Sequence, residues 1–231
     1  MMQLNEFESA ELCNGKLCNV LGENIAKILA HQPNCNMALA GGNTPKTLYG
    51  LLSKLPLPWE NVQVTLSDER WVDVINDDSN EKMVRTELLI NHAQKARFIP
   101  LKNAKHNPLD AMALCNTNLK HNMPKLDVVV LGMGEDGHFA SIFPNIENIH
   151  ALLDLQKGVT CQAVTPLDKP PRMSLTLAYL LTAQKIYLLM SGQKKLKIIS
   201  EVSRDNSPVT AYPVAALIHQ NICPIEVYWS P

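Results

Sequence analysis

A histidine and a carboxylate two residues apart are the side chains of this sequence that point most directly to chemistry. They are His138 and Asp136, in the stretch GMGEDGH, which follows an apolar run at residues 128–131. Neutral imidazole accepts a proton near pH 7, so His138 is a candidate general base. A single histidine is more often structural, but glycines such as Gly134 allow a sharply folded loop and favour a catalytic role. We therefore predict that His138 is catalytic and that Asp136 either faces the same cleft or arranges the loop.

A second glycine-rich segment, AGGNTPKT, joins an apolar run to a predicted helix. Gly41 and Gly42 permit close approach of a ligand to the backbone, and Thr44 is predicted to cap a helix whose first residue is Pro45. This is the composition of a phosphate cradle, although a tight turn with a good cap explains it equally well. The segment matches neither a Walker loop nor a dinucleotide fingerprint, so ATP and NAD are not expected.

Cations and further carboxylates accompany these loops. The stretch SDERWV places Asp68 and Arg70 at the end of a predicted strand, where the alternative is a solvated loop with a local ion pair. A guanidinium matches phosphate geometry, which favours Arg70 as an anion ligand. Arg172 and Lys195 precede or begin predicted helices, where ordinary helix-end charges are the alternative. Lys194 and Lys197 are expected to be surface charges.

Hydrophobic periodicity predicts alternating strands and helices along the whole chain. The predicted strands are residues 36–42, 61–72, 96–101, 125–134, 158–165, 185–192 and 225–230. The predicted helices are residues 9–31, 43–55, 80–93, 107–122, 174–183, 193–203 and 213–221. Such alternation indicates one domain over residues 1–231, with a mainly parallel sheet covered on both faces. In such sheets ligands bind beyond the carboxyl ends of the strands. The two glycine-rich segments and the DER segment all fall at such ends.

Composition limits the class of protein. The 231 residues carry a formal net charge of −1, which argues against nucleic-acid binding. The six cysteines show no metal-binding spacing and are expected to be reduced thiols in a cytoplasmic protein. The amino-terminal residues have no basic leader, and no apolar run approaches the roughly 20 residues that span a bilayer. We therefore expect no metal and no membrane association.

Five segments occur in an order that resembles a known family. They are LAGGNTP, LSDERWV, SNEKMVRTELL, VVLGMGEDGHFASIFP and PPRMSLTLAYL. Together they resemble the 6-phosphogluconolactonase family, which is related to glucosamine-6-phosphate deaminase and ribose-5-phosphate isomerase. The resemblance implies a Rossmann-like three-layer αβα sandwich. It also implies hydrolysis of 6-phospho-D-glucono-1,5-lactone in the oxidative pentose phosphate pathway, without a cofactor.

The resemblance assigns roles position by position. The implied catalytic residues are His138 and Asp136. The implied substrate-binding or phosphate-binding residues are Gly41, Gly42, Asn43, Thr44, Asp68, Arg70, Gly134, Arg172 and Lys195. Lys194 is the alternative to Lys195, because the two are adjacent. Ala40 and Asn43 depart from the serines that are common in the family at these positions. Backbone contacts to phosphate tolerate both changes, whereas a side-chain contact at position 43 stays open.

Two other functions remain as alternatives. An amino-sugar phosphate isomerase or deaminase shares the DGH loop, but typically continues with FNEP where this chain has SIFP. Phe143 thus stands in place of a carboxylate expected for ring-opening chemistry, which favours the lactonase. A non-catalytic sugar-phosphate sensor would carry a DNA-binding segment, and no basic helix-turn-helix region precedes the first predicted helix.

Overall fold

Two sheets organise the chain in the computed structural model, which describes residues 2–156, 158–204 and 207–231. The strands are β1 (Met2–Glu6), β2 (Cys35–Leu39), β3 (Val62–Leu66), β4 (Asp68–Arg70), β5 (Arg97–Phe98), β6 (Val128–Leu131), β7 (Cys161–Val164), β8 (Arg172–Leu175), β9 (Lys185–Ser191) and β10 (Ile225–Ser230). Seven parallel strands form the main sheet, in the spatial order β1-β10-β9-β6-β2-β3-β5. The other three form a small antiparallel sheet in the order β4-β8-β7.

The strand order reverses between β2 and β6. From β2 the chain proceeds to β3 and β5 on one side, whereas β6, β9 and β10 follow on the other. Such a reversal opens a crevice at the carboxyl ends of the two central strands. Every residue of β2 and β6 is buried, as expected for strands that are covered on both faces. The two glycine segments emerge from these two strands and therefore meet at the crevice.

Helices cover both faces of the main sheet, so the predicted three-layer α/β fold is confirmed. They are α1 (Ala10–Leu29), α2 (Lys46–Leu52), α3 (Asn80–Glu87), α4 (Pro108–Asn122), α5 (Ile149–Leu153), α6 (Leu177–Leu180), α7 (Gln193–Arg204) and α8 (Val214–His219). Helix α1 packs against α2, and α7 packs against α8. None of the helices in the described ranges has the length and apolar composition needed to cross a membrane.

Caps explain several helix boundaries. Ser9 caps α1 by accepting the Leu12 N–H, and Asn107 caps α4 by accepting the Asp110 N–H. The helices predicted over 9–31 and 107–122 therefore begin close to where the structure begins them. Thr44, however, does not cap α2: the helix begins at Lys46, and no side chain caps it. The chain instead turns through Asn43, whose carbonyl accepts the Lys46 N–H at 3.3 Å.

The small sheet was not predicted from the sequence. Residues 61–72 do not form one strand, because β3 ends at Leu66 and DER forms the separate strand β4. Residues 174–183 are not one helix: β8 ends at Leu175 and α6 spans four residues. A short apolar run fits either period, and here antiparallel pairing with β4 and β7 makes it a strand. The Thr176 hydroxyl then caps α6 by accepting the Tyr179 N–H.

Other differences lie at the margins. The edge strand β1 was missed, since its half-buried residues give a weak pattern. The helix predicted over 80–93 ends at Glu87 and is followed by a 3-10 turn, Asn91–Lys95.

All six cysteines are free and buried. Burial raises the pKa of Cys13 to about 11, so its thiolate is scarce at neutral pH.

Candidate active site

A cavity of about 190 Å³ lies at the carboxyl ends of β2 and β6 and contains most of the predicted site residues. The predicted residues that line it are Gly41, Gly42, Thr44, Asp68, Arg70, Gly134, His138, Arg172 and Lys195. Two predicted site residues do not line the cavity. Asn43 is exposed, and Asp136 contacts His138, which does line it. In the described part of the chain, the lining holds three lysine or arginine side chains against the one carboxylate of Asp68. The cleft is therefore suited to an anion.

The loop from β2 to α2 presents its backbone to this cavity. The Ala40 carbonyl accepts the Tyr49 hydroxyl at 2.8 Å, which fixes the start of the loop. A Cβ on Gly41 would overlap the amide group of Asn80, and Gly42 has a φ of +91°. Both positions thus require glycine. Within the described residues, the N–H groups of Gly41 and Gly42 have no protein acceptor, so they are free to bind a ligand.

The small sheet sets two guanidinium groups side by side. Arg70 and Arg172 are cross-strand partners in β4 and β8. Arg70 donates from Nη1 to the Asp78 carbonyl at 2.5 Å, and Arg172 Nη1 lies 3.7 Å from Asp68 Oδ2. Burial lowers the pKa of Arg172, which Asp68 opposes and the charge of Arg70 reinforces.

The Nε atoms of both arginines are buried and lack a hydrogen-bond partner among the described residues. A buried donor without an acceptor costs about 1–3 kcal/mol, and adjacent like charges also destabilise a strand pair. An anion in the cavity offsets both costs. Two buried N–H groups at one edge of a cationic cleft therefore indicate an anion-binding subsite.

Asp68 connects the small sheet to the histidine loop. Its Oδ2 accepts the Ser141 hydroxyl at 2.5 Å and its Oδ1 accepts the Ser67 hydroxyl at 3.1 Å. Asp68 and both serines are buried. The carboxylate thus holds Ser141, three residues after His138, close to Arg172. Its predicted contact with substrate stays a prediction.

Glu69 has a different task from its neighbours in DER. Its carboxylate is buried and accepts the backbone N–H groups of Arg70, Asn80 and Glu81, together with the Ser79 hydroxyl. Burial raises the pKa of Glu69, and these hydrogen bonds oppose the rise. Because Glu69 binds the start of α3, strand β4 is anchored there instead of continuing β3.

His138 is held through one ring nitrogen. Its Nδ1 lies 2.5 Å from Asp136 Oδ1, and its carbonyl accepts the Gly134 N–H at 2.9 Å. Burial tends to raise the pKa of Asp136, but the hydrogen bonds and charge of His138 outweigh it and lower that pKa to about 2. A Cβ on Gly134 would collide with the His138 ring, and Gly137 has a φ of +76°. The glycines therefore allow the tight loop in which the Asp136 carboxylate supports the imidazole.

The structure distinguishes the two adjacent lysines. Lys195 lines the cavity, and burial lowers its pKa, with an opposing effect of Glu135. Lys194 is 79% exposed and pairs with Glu135 at 3.2 Å. Gly192, with a φ of +92°, makes the turn that places the first residues of α7 in this way. Lys195 is thus the lysine that faces the candidate site.

Sequence reasoning missed several residues around the cavity, among them Asn80, Ser141 and Ala140. Asn80 is buried, lines the cavity and donates from Nδ2 to the Asp68 carbonyl at 2.8 Å. Ser141 holds Asp68, and Ala140 lines the cavity with a φ of +48°. Both segments, SNEK and GHFAS, were recognised as motifs. Attention to their small polar residues could have found Asn80 and Ser141, whereas the strained backbone of Ala140 leaves no sequence signal.

No group of three or more histidine, cysteine or acidic side chains in the described ranges is arranged to hold a metal ion. The donors at the site are instead guanidinium, ammonium and backbone N–H groups. Fold and cleft together define an α/β protein with a cation-lined cavity and a carboxylate-supported histidine at the strand ends.

Comparisons with known proteins place this architecture in a family. The family model for glucosamine-6-phosphate isomerases/6-phosphogluconolactonase matches residues 8–229. The 6-phosphogluconolactonase of Pseudomonas putida is 35% identical over 231 residues, covering 100% of this chain and 93% of the relative. The one from Rhizobium meliloti is 34% identical and covers 97% of each chain. The crystal structure of a 6-phosphogluconolactonase from Shewanella baltica superposes with a TM-score of 0.95 at 32% identity, covering 100% of this chain and 98% of that one. The chain belongs to the glucosamine-6-phosphate isomerase/6-phosphogluconolactonase family.

Proposed function

We propose that this chain is a 6-phosphogluconolactonase, which hydrolyses 6-phospho-D-glucono-1,5-lactone to 6-phospho-D-gluconate in the oxidative pentose phosphate pathway. The observation that carries the proposal is the pairing of a supported histidine with an anion subsite in one cavity. The full-length similarity to 6-phosphogluconolactonases supports the same substrate.

His138 is the general base of the proposed reaction. Because Asp136 accepts a hydrogen bond from Nδ1–H, the neutral ring carries its lone pair on Nε2. Nε2 takes a proton from water while the water oxygen bonds to the lactone carbonyl carbon. The bond from that carbon to the ring oxygen then breaks, and the imidazolium returns its proton to that oxygen. Acid–base help of this kind contributes about 10²–10⁴-fold.

The cations and glycines hold the substrate. Arg70 and Arg172 bind the phosphate through their guanidinium groups, and Lys195 lines the same cavity as a third cation. Fixing the phosphate places the carbonyl near His138, which removes much of the entropic barrier. Backbone N–H groups of Gly41 and Gly42 are available to the developing oxyanion or to the phosphate.

The substrate is a small phosphorylated lactone, and the proposed location is the cytoplasm. The six free, buried thiols support that location, because such cysteines persist in a reducing compartment. Neither a nucleic acid nor a membrane is part of the proposed activity.

Purified protein tests the proposal when it is given fresh 6-phosphogluconolactone and, separately, glucosamine 6-phosphate. We expect acid release well above the spontaneous rate from the lactone and no ammonia from the amino sugar. His138→Ala should remain folded and lose most of the enzymatic rate. His121→Ala, at an exposed position on α4, is the matched control and should keep full activity. Ammonia release without lactone hydrolysis would show a deaminase instead. Ligand-dependent stabilisation without turnover of either compound would show a sensor.

A further inference from the structure

An aromatic side chain outside the proposed mechanism lies against the imidazole. The ring centroids of Phe143 and His138 are 4.4 Å apart, with the planes tilted by 39°. Phe143 is 5% exposed and belongs to the hydrophobic core. The two side chains are therefore in direct contact, and one of them is fixed by the interior of the protein.

Two cations also contact Phe143. Lys169 Nζ lies 4.3 Å from the ring centroid and Arg172 Cζ lies 5.2 Å from it. Arg172 lines the candidate active site, whereas Lys169 lines a neighbouring cavity of about 660 Å³. Phe143 borders that second cavity, and its ring also contacts His138 and Arg172, which line the first.

The hydrogen bond that His138 Nδ1 donates to Asp136 does not by itself fix the imidazole. Both residues lie in the same glycine-rich loop, and the side chains of His138 and Asp136 are 27% and 44% exposed. With only this hydrogen bond at Nδ1, the imidazole ring could still tilt about the Nδ1–Oδ1 direction. A second contact from the core removes this freedom, because a planar face restricts the tilt of the ring packed on it.

We propose that Phe143 is a positioning residue for His138: its ring sets the plane of the imidazole and so the direction of the Nε2 lone pair. Being apolar, Phe143 offers no group that would compete with water for Nε2. Arg172 lies against the same ring, so the side chain that orients the base also contacts a residue of the proposed anion subsite. This inference rests on the proposed lactone hydrolysis.

Steady-state kinetics with 6-phosphogluconolactone test the proposal. Phe143→Leu keeps an apolar side chain but loses the planar face. Small misplacements of a catalytic group cost up to about 10²-fold in rate, so we expect kcat to fall about tenfold or more while KM changes less than about twofold. Phe143→Tyr keeps the face and should retain most of kcat.

Phe98→Leu is the matched control. Phe98 also carries a cation, with Arg85 Cζ 4.7 Å from its centroid, but it lies in β5 and does not line the candidate active site. The control should leave kcat unchanged. If Phe143→Leu lowers the thermal midpoint, Phe143→Met at the same position provides a second flexible, apolar replacement.

Nuclear magnetic resonance of histidine-labelled protein reports the contact itself. The ring current of Phe143 should displace the His138 ring protons, identified by their absence in His138→Gln, from random-coil positions. The displacement should persist in Phe143→Tyr and shrink in Phe143→Leu. A wild-type kcat in Phe143→Leu, or a loss of kcat with unmoved His138 signals, would overturn the proposal. Failure of the wild-type protein to hydrolyse the lactone would instead overturn the proposed function, while the signals would still report the contact.

Discussion

Arg70 and Arg172 face each other across β4 and β8, and each has a buried Nε–H for which the described residues offer no acceptor. The arrangement places two positive charges directly opposite each other on paired strands. Without a bound ligand, this repulsion only destabilises the strand pair. Asp68 offsets part of the repulsion at 3.7 Å from Arg172. We therefore expect the pair to bind an anion.

Neutralising either arginine should weaken the use of phosphorylated substrate. A charge-assisted hydrogen bond contributes about 1.5–3 kcal/mol, so Arg70→Gln and Arg172→Gln should each lower kcat/KM by about 10–100-fold. The measurement compares 6-phosphogluconolactone with unphosphorylated gluconolactone, and preference for the former should fall. Equal losses on both lactones would mean that the arginines act on the carbonyl or on the fold.

The adjacent lysines should differ in effect. Lys195→Gln removes a cation from the cavity lining and should lower kcat/KM by about 10-fold or more for the phosphorylated lactone. Lys194→Gln removes only an exposed pair with Glu135 and should leave kcat/KM unchanged within about twofold. The reverse result would place the substrate on the Lys194 side.

Glu69→Gln should destabilise the protein although it removes a buried charge. Each Glu69 oxygen accepts two hydrogen bonds, and an amide nitrogen cannot accept them. Each donor left unsatisfied costs about 1–3 kcal/mol, so the thermal midpoint should fall by several degrees. The matched control is Glu60→Gln, the same substitution at an exposed position. An unchanged thermal midpoint in Glu69→Gln would show that the hydrogen bonds accepted by Glu69 contribute little to stability.

Asp136 should contribute to stability in a defined pH range. Its folded-state pKa is about 2, below its ordinary value of 3.8, so its contribution is present above about pH 4 and is lost as the pH falls toward 2. The measurement is the difference in thermal midpoint between the wild type and Asp136→Asn. That difference should be constant from pH 5 to 4 and narrow below it, within the range where both proteins remain folded. A difference that widens with acidification would contradict this assignment.

Removal of metal ions should leave lactone hydrolysis intact. The proposed steps use His138, water and protein N–H groups, and the described ranges hold no metal-binding cluster. Incubation with a strong chelator followed by assay is the measurement, with the untreated enzyme as reference. Activity that is lost on chelation and restored by one particular metal would refute the proposed mechanism.

The sequence predicted the elements that depend on local signals. The apolar run of β6 and the glycines after it define a buried strand and a tight loop without reference to any distant residue. The same local signals identified His138, and the ordered motifs identified Arg70 and Arg172. The prediction missed the break between β3 and β4 and the strand β8, because both depend on pairing with residues far along the chain. Contacts such as Ser141 with Asp68, or Phe143 with His138, are likewise set by tertiary packing, which no short sequence window contains.

The proposed base and the proposed phosphate ligands stand on different sheets. His138 follows β6 of the main sheet, whereas Arg70 and Arg172 belong to the small sheet, and Asp68 with Ser141 joins the two. Substitutions in the small sheet can thus alter which anion is recognised while the loop after β6 is preserved. Within a lineage, substrate choice and proton transfer are then free to diverge at different rates. For protein engineering, the small sheet is the place to change selectivity, provided that the joint at Asp68 is left intact.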